Sequence, residues 1–239
     1  MSGWLDERGS PAIRDAVIRS AREMIGGVAR VTVEVNPLED IVFNPGAVAV
    51  FGGFGEHPTY LAIASAPQQL PLLEFFVGNP DVAAQFTSRV GQAVRVQFPV
   101  GRGYPLDDMG GKPVVLIGMG SGIAPLRSAL LHMLDSPERF PRIALLHGAT
   151  REVATPFAAD WPAWEEAGVR VVRTVSQESP GRSAIRSGRV QSHFKDVVPA
   201  DGDCWVILCG SLEMIVESRE CLAGMGVAPE RVVSNGDGD

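Results

Sequence analysis

Along the chain the spacing of apolar residues changes twice, and each change marks a new kind of element. In "PAIRDAVIRSAREMI", residues 11–25, Ile13, Ala16, Val17, Ala21, Met24 and Ile25 fall near one helical face. That spacing predicts a helix with Ser10 as its cap, Pro11 in its first turn and Gly26-Gly27 as its stop. From 28 to 100 the period drops to two. "ARVTVEVNP", "GAVAVFGGF", "YLAIASA", "PLLEFFVG" and "QAVRVQFPV" are short, rich in Val, Ile and Phe, and parted by Gly, Pro and Asn. They predict an antiparallel β-barrel or sandwich, interrupted by one helical piece, "DVAAQFTSRV" (81–90), capped by Asp81.

Beyond "GRGYPLDDMGG" the strands lose their alternation. "PVVLIGM", "RIALLHGA", "VRVVRTVS" and "CWVILCG" are near-continuous apolar runs, as expected when both faces of a sheet are covered. They alternate with helical patterns at 122–134, about 157–167, about 188–197 and 213–224. Strand–helix alternation predicts a doubly wound parallel sheet, here of five strands, with 114–118 and 205–209 in the same sheet. The expected organisation is a helical extension over 1–27, a barrel over 28–110 and an α/β domain over 111–239.

Composition narrows the function. A chain of 239 residues with 45% apolar and 21% charged residues has room for two globular domains. No apolar run approaches the roughly 20 residues that cross a bilayer, and the polar "MSGWLDERGSPAIRD" lacks an apolar leader, so the cytoplasm is the expected location. A net charge of −7 argues against nucleic acid, which needs a basic surface to displace counterions. Cys204, Cys209 and Cys221 have no paired zinc spacing and fall short of the four thiolates of an iron–sulfur cluster. No metal site is expected, and any electron acceptor has to be a separate molecule.

The chemistry gathers at "KPVVLIGMGSGIAPLRSALLHML" (112–134), where a buried strand opens through three glycines straight into a helix. A helix N-terminus presents backbone N–H groups and a positive dipole end, which suits a pyrophosphate. Gly118, Gly120 and Gly122 let the backbone turn tightly and approach phosphates; a merely tight turn needs one or two. The spacing is not G-x-G-x-x-G, and the second strand ends "HGATRE" without the acidic residue that follows that motif in common dehydrogenases.

A barrel followed by a nucleotide domain that opens "GMGSGIAPLRS" and closes "CGSLEM" resembles the ferredoxin–NADP reductase superfamily, whose members pair an FAD-binding barrel with an NAD(P)-binding domain. The resemblance spans roughly 28–235 and is nearest to a plant and bacterial reductase-like branch related to a kiwi-fruit protein, through "HPTYLAIASAP", "GRGYP" and "SGIAPLRS". It implies that Gly118, Gly120, Ser121, Gly122, Ile123, Ala124 and Pro125 line the dinucleotide pyrophosphate, with Thr150, Arg151 and Ser176 near the adenosine. Where NADPH-using relatives carry Ser-Arg for the 2′-phosphate, Gln177 follows Ser176, so NADH and NADPH both stay open; Arg182, Arg186 or Arg189 would have to replace that arginine. Cys209, Gly210 and Met214 match the family's Cys-Gly-x-x-x-Met, which gives Cys209 the catalytic place beside the nicotinamide; the alternative is a small buried thiol.

On the flavin side the resemblance implies contacts from Tyr60, Ala62, Ile63, Ser65 and Tyr104. With Ile63-Ala64-Ser65 fixing the register, Thr59, Leu61 and Ala62 stand in the slots of the family's Arg, Tyr and Ser. A charge-assisted phosphate contact and a ring stack are thereby lost, and Tyr60 or His57 would take one role only after a register change. In "VGRGYPL", Tyr104 faces a ring or packs at a domain junction. These readings predict an NAD(P)H-dependent flavoprotein reductase that holds FAD loosely and serves a separate acceptor, a protein or a small molecule. The alternatives are an accessory subunit with a decayed flavin site, and an ordinary nicotinamide dehydrogenase, for which neither Tyr-x-x-x-Lys nor a His-Asp relay is convincing.

Overall fold

In the computed structural model, residues 13–36, 41–54, 57–152, 155–177 and 185–234 are described. The first six strands are β1 (Ile13–Glu23), β2 (Ala29–Asn36), β3 (Val48–Phe51), β4 (Thr59–Ala62), β5 (Leu72–Val77) and β6 (Ala93–Val100), in the order β4-β3-β6-β1-β2-β5. All pairs are antiparallel, and a bridge between Ile63 and Phe75 joins the two edges into a nearly closed barrel. Its interior is filled by the inward residues of the period-two strands, with Phe51 edge-on to Phe75 and Phe86 at 5.2 Å each. Helix α1 (Pro80–Ser88) buries Ala83 and Phe86 in that core.

The second sheet contains β7 (Val114–Met119), β8 (Ile143–Ala149), β9 (Arg170–Val175), β10 (Ile185–Ser187), β11 (Trp205–Cys209) and β12 (Val232–Ser234), all parallel, in the order β10-β9-β8-β7-β11-β12. Helices α2 (Ile123–Leu134) and α3 (Trp161–Glu166) pack on one face and α4 (Leu212–Gly224) on the other. The strand order reverses between β7 and β11. At such a switch point the two crossovers leave in opposite directions and open a crevice at the carboxyl ends of the strands.

Several expectations are corrected. The helix expected over 11–25 is strand β1, the longest in the barrel, over its described part; Ser10 and Pro11 lie outside the described residues. Ala16 and Ile18 face inward at period two, then an irregularity between Ile18 and Ser20 shifts the next inward residue to Ala21. That shift imitates a helical spacing. The parallel sheet has six strands because two edges of three residues each, β10 and β12, are too short to carry a pattern. The helix expected near 188–197 is a 3₁₀ segment (Val190–Asp196), and the one near 157–167 is a 3₁₀ turn leading into α3. Asn79, not Asp81, caps α1: its side chain accepts from the N–H groups of Asp81 and Val82.

Candidate active site at the sheet switch point

At the switch point Gly118 of β7 lies opposite Cys209 of β11. After Gly118 the chain makes a 3₁₀ turn, Gly120–Gly122, and enters α2. A Cβ on Gly122 would lie 2.3 Å from the Cys209 carbonyl oxygen, so only glycine lets the loop close over β11. Gly120 has φ +53° with open space around it, so its requirement is the left-handed backbone rather than room. Ile123 and Pro125 are buried beneath the loop, whereas Ser121 is exposed on it. From the neighbouring strand, His147 Nε2 lies 3.0 Å from the Gly120 carbonyl oxygen. A carbonyl accepts, so Nε2 carries the proton. Burial lowers the His147 pKa to about 4, which keeps the ring neutral.

Cys209 is half-buried, and burial pushes its thiol pKa up to about 11. Its side chain hydrogen-bonds Tyr104, which is 3% exposed and whose own pKa is raised well above the phenol range by burial first and by Cys209 second. Both groups are therefore protonated at neutral pH. Tyr104 packs at the junction of the two sheets, against Gly46 and within the core beneath α2, instead of facing an open groove.

A pocket of about 210 Å³ opens at the carboxyl ends of β8 and β9. It brings together Thr150, Ser176 and Met214, and adds Thr174, Arg189, Gln191, Glu213 and Glu217, none of which the sequence had marked for this role except Arg189. Arg151 is exposed and does not line it, and Arg182 lies outside the described residues. Gly148 lines the pocket and Gly210 lies beside it, behind Met214: a Cβ on the first would meet Val190 at 2.8 Å, and on the second Met214 at 2.4 Å. A buried, unpartnered Thr174 Oγ1 beside this cradle fits a polar ligand.

A second groove, of about 560 Å³, runs between barrel and α/β sheet. Its walls are Thr59, Tyr60, Leu61 and Ala62 of β4, the Gly78-Asn79-Pro80 entry to α1, and Ser121 and Ala124 from the glycine loop. Leu61 packs toward the barrel core, while Tyr60 is 65% exposed on the other side of the strand and offers a free aromatic face. An elongated groove with an aromatic wall fits a flavin. Ile63 and Ser65 do not reach it with their side chains. Ile63 is in the barrel core, and Ser65 Oγ accepts from Glu74 N while its carbonyl accepts from Ser128 Oγ at 2.7 Å.

The groove's two walls are joined by an ion network that sequence reading missed, because its members are scattered along the chain. Arg127 of α2, 5% exposed, pairs with Glu74 of β5 at 2.8 Å and with Asp160 at 2.9 Å, and donates to the Ala64 carbonyl. Arg30 of β2 pairs with the same two carboxylates. Both guanidinium groups lie over the Phe157 ring, at 4.7 and 5.1 Å.

Residues 116–220 match the family model described as the oxidoreductase NAD-binding domain. The gamma subunit of sulfhydrogenase 1 from Pyrococcus furiosus is 26% identical over 202 residues, 81% of this chain and 68% of that protein. A fruit protein from Actinidia deliciosa is 27% identical over 192 residues, 75% of this chain and 60% of its own length. Among solved structures, a ferredoxin NADP+ reductase from Neisseria gonorrhoeae with bound FAD and NADP superposes with a TM-score of 0.78 at 20% identity, covering 93% of this chain and 97% of that one. Among the described residues no helix is long and apolar enough to cross a membrane.

Proposed function

We propose that this chain, whose residues 116–220 match an oxidoreductase NAD-binding domain and whose fold is that of a ferredoxin NADP+ reductase, is an NAD(P)H-dependent flavoprotein reductase of that superfamily serving a separate electron acceptor. The observation that carries this reading is adjacency: Ser121 and Ala124 of the glycine loop also line the groove walled by Tyr60 and Ala62. A dinucleotide on the loop and a flavin in the groove therefore meet at one place. Bound FAD would take two electrons as hydride and release them to the acceptor. The chain's own part is placement. The α2 N-terminus and the glycine loop receive the pyrophosphate, and His147 fixes the loop by holding the Gly120 carbonyl. Cys209, protonated, presents an uncharged sulfur at the switch point and excludes water. Arg127 holds α2 against the barrel, so the two sites keep their spacing.

FAD is held loosely, since Thr59, Leu61 and Ala62 offer neither a phosphate charge pair nor a second ring stack. One observation favours a second reading, a nucleotide-binding accessory subunit: Asn79 already accepts two of the N–H groups at the α1 N-terminus that a flavin phosphate would use. Titration of the purified chain with FAD, followed by flavin fluorescence and melting temperature, separates the two. Saturable quenching with a raised melting temperature supports the reductase; no response at high micromolar FAD supports the accessory subunit.

A further inference from the structure

We propose that the pocket at the ends of β8 and β9 selects the adenosine of NADH, with its free 2′-hydroxyl, over that of NADPH; this rests on the dinucleotide reading above. The pocket's polar lining is built to accept hydrogen bonds. Gln191 Nε2 donates to Glu217 Oε2 at 2.9 Å, and because a carboxylate only accepts, the amide must be oriented with its nitrogen there. Gln191 Oε1 is thereby left buried without a partner. Thr174 Oγ1, on a pocket-lining residue 2% exposed, is likewise unpartnered, and a Cβ on Gly148 would lie 3.2 Å from it. Glu213 and Glu217 of α4 add carboxylate oxygens to the lining beside Gln191 and Arg189.

Ribose hydroxyls are donors and satisfy such acceptors. A 2′-phosphate near neutral pH adds about −1.5 to −2 charges and demands donors. Among the described residues the lining holds one cation, Arg189, and it is shared between Glu213 at 3.8 Å and Glu217 at 3.6 Å. Arg186 of β10 is paired with Asp196 at 3.0 Å. The described lining thus has one positive charge against two negative ones, and Gln177 adds none. Burying a buried acceptor against an anion leaves both unsatisfied, which is how polar sites reject an analogue.

Calorimetry on the full chain with ADP-ribose and its 2′-phosphate tests this without flavin or hydride transfer. ADP-ribose is expected to bind at least about tenfold more tightly, since a like-charge contact near a protein surface costs on the order of a factor of ten or more. In the Glu213→Gln/Glu217→Gln double variant, whose altered side chains lie near the surface, the preference should shrink to about threefold or less through better binding of the 2′-phosphate. Equal or tighter binding of the 2′-phosphate by the unaltered chain overturns the proposal, as does a preference that the double variant leaves unchanged. Binding of neither probe overturns the dinucleotide reading itself, and the selectivity with it.

Discussion

Tyr104 and Cys209 meet across the junction of the two sheets, the tyrosine hydroxyl hydrogen-bonded to the cysteine sulfur. One residue precedes the α/β sheet and the other ends its β11 strand, so the bond fixes the thiol where the carboxyl edge of the sheet faces the barrel. A thiol with pKa near 11 is not a nucleophile at neutral pH. Cys209→Ala should slow hydride transfer while ADP-ribose affinity changes by less than about threefold, the signature of an interaction made mainly in the transition state. Single-turnover kinetics beside calorimetry read the two separately, and an unchanged rate returns Cys209 to a packing role.

The two outer glycines of the turn should answer differently to alanine. Gly120→Ala meets open space and bears only the left-handed backbone, about 1–2 kcal/mol. Gly122→Ala places a carbon 2.3 Å from backbone oxygen and has to displace β11 or the loop. Dinucleotide binding should survive the first and be lost in the second, measured on folded protein by calorimetry.

His147 makes stability depend on pH. Its folded pKa near 4 lies below the unfolded value near 6.5, so the unfolded chain binds the extra proton between these limits. The contribution is fully present above pH 6.5 and falls by up to about 3 kcal/mol as pH drops toward 4. Urea denaturation across that window should show a flatter slope for His147→Gln, which keeps a donor for the Gly120 carbonyl. Parallel slopes would mean that His147 titrates normally.

Arg127 should be the most sensitive charge in the molecule. Arg127→Met leaves Glu74 and Asp160 sharing Arg30 alone and strips the Ala64 carbonyl of its partner, a loss of about 3–5 kcal/mol. Arg127→Lys should recover only part, because an ammonium cannot reproduce the planar fork. Denaturation midpoints decide; a loss below about 1 kcal/mol removes the network from the account of how the sheets are held.

The fold was legible where burial repeats along a strand. Runs such as "PVVLIGM" and "RIALLHGA" and the barrel's alternation carried the two sheets, and the glycines carried the switch point. The pattern failed at β1, where one irregularity turned period two into an apparent helix, and at edge strands of three residues. The candidate site was half legible. Gly118 to Ala124 sit together because they are consecutive, whereas Arg127, Glu74 and Asp160 meet only through the fold. Ser65 shows the converse: it stands in a motif, yet its hydroxyl is committed to Glu74. In the sequence Tyr60 can replace the missing stacking ring only by a register change, whereas in the fold it is exposed on β4 and lines the groove.

Tyr60 supplies the aromatic wall of the groove. Tyr60→Ala should weaken FAD binding by up to about tenfold, the worth of one ring stack, and leave ADP-ribose binding alone. Flavin fluorescence titration reads the first and calorimetry the second; equal FAD affinity in both proteins places the flavin elsewhere.

Rapid mixing of the FAD-saturated chain with NADH under anaerobic conditions reaches the central claim directly, since it requires both sites and their adjacency at once. Protein-dependent bleaching of the flavin absorbance is expected, slower with Cys209→Ala than with the unaltered chain. Flavin that stays oxidised while calorimetry shows FAD and NADH both bound would contradict the reductase reading.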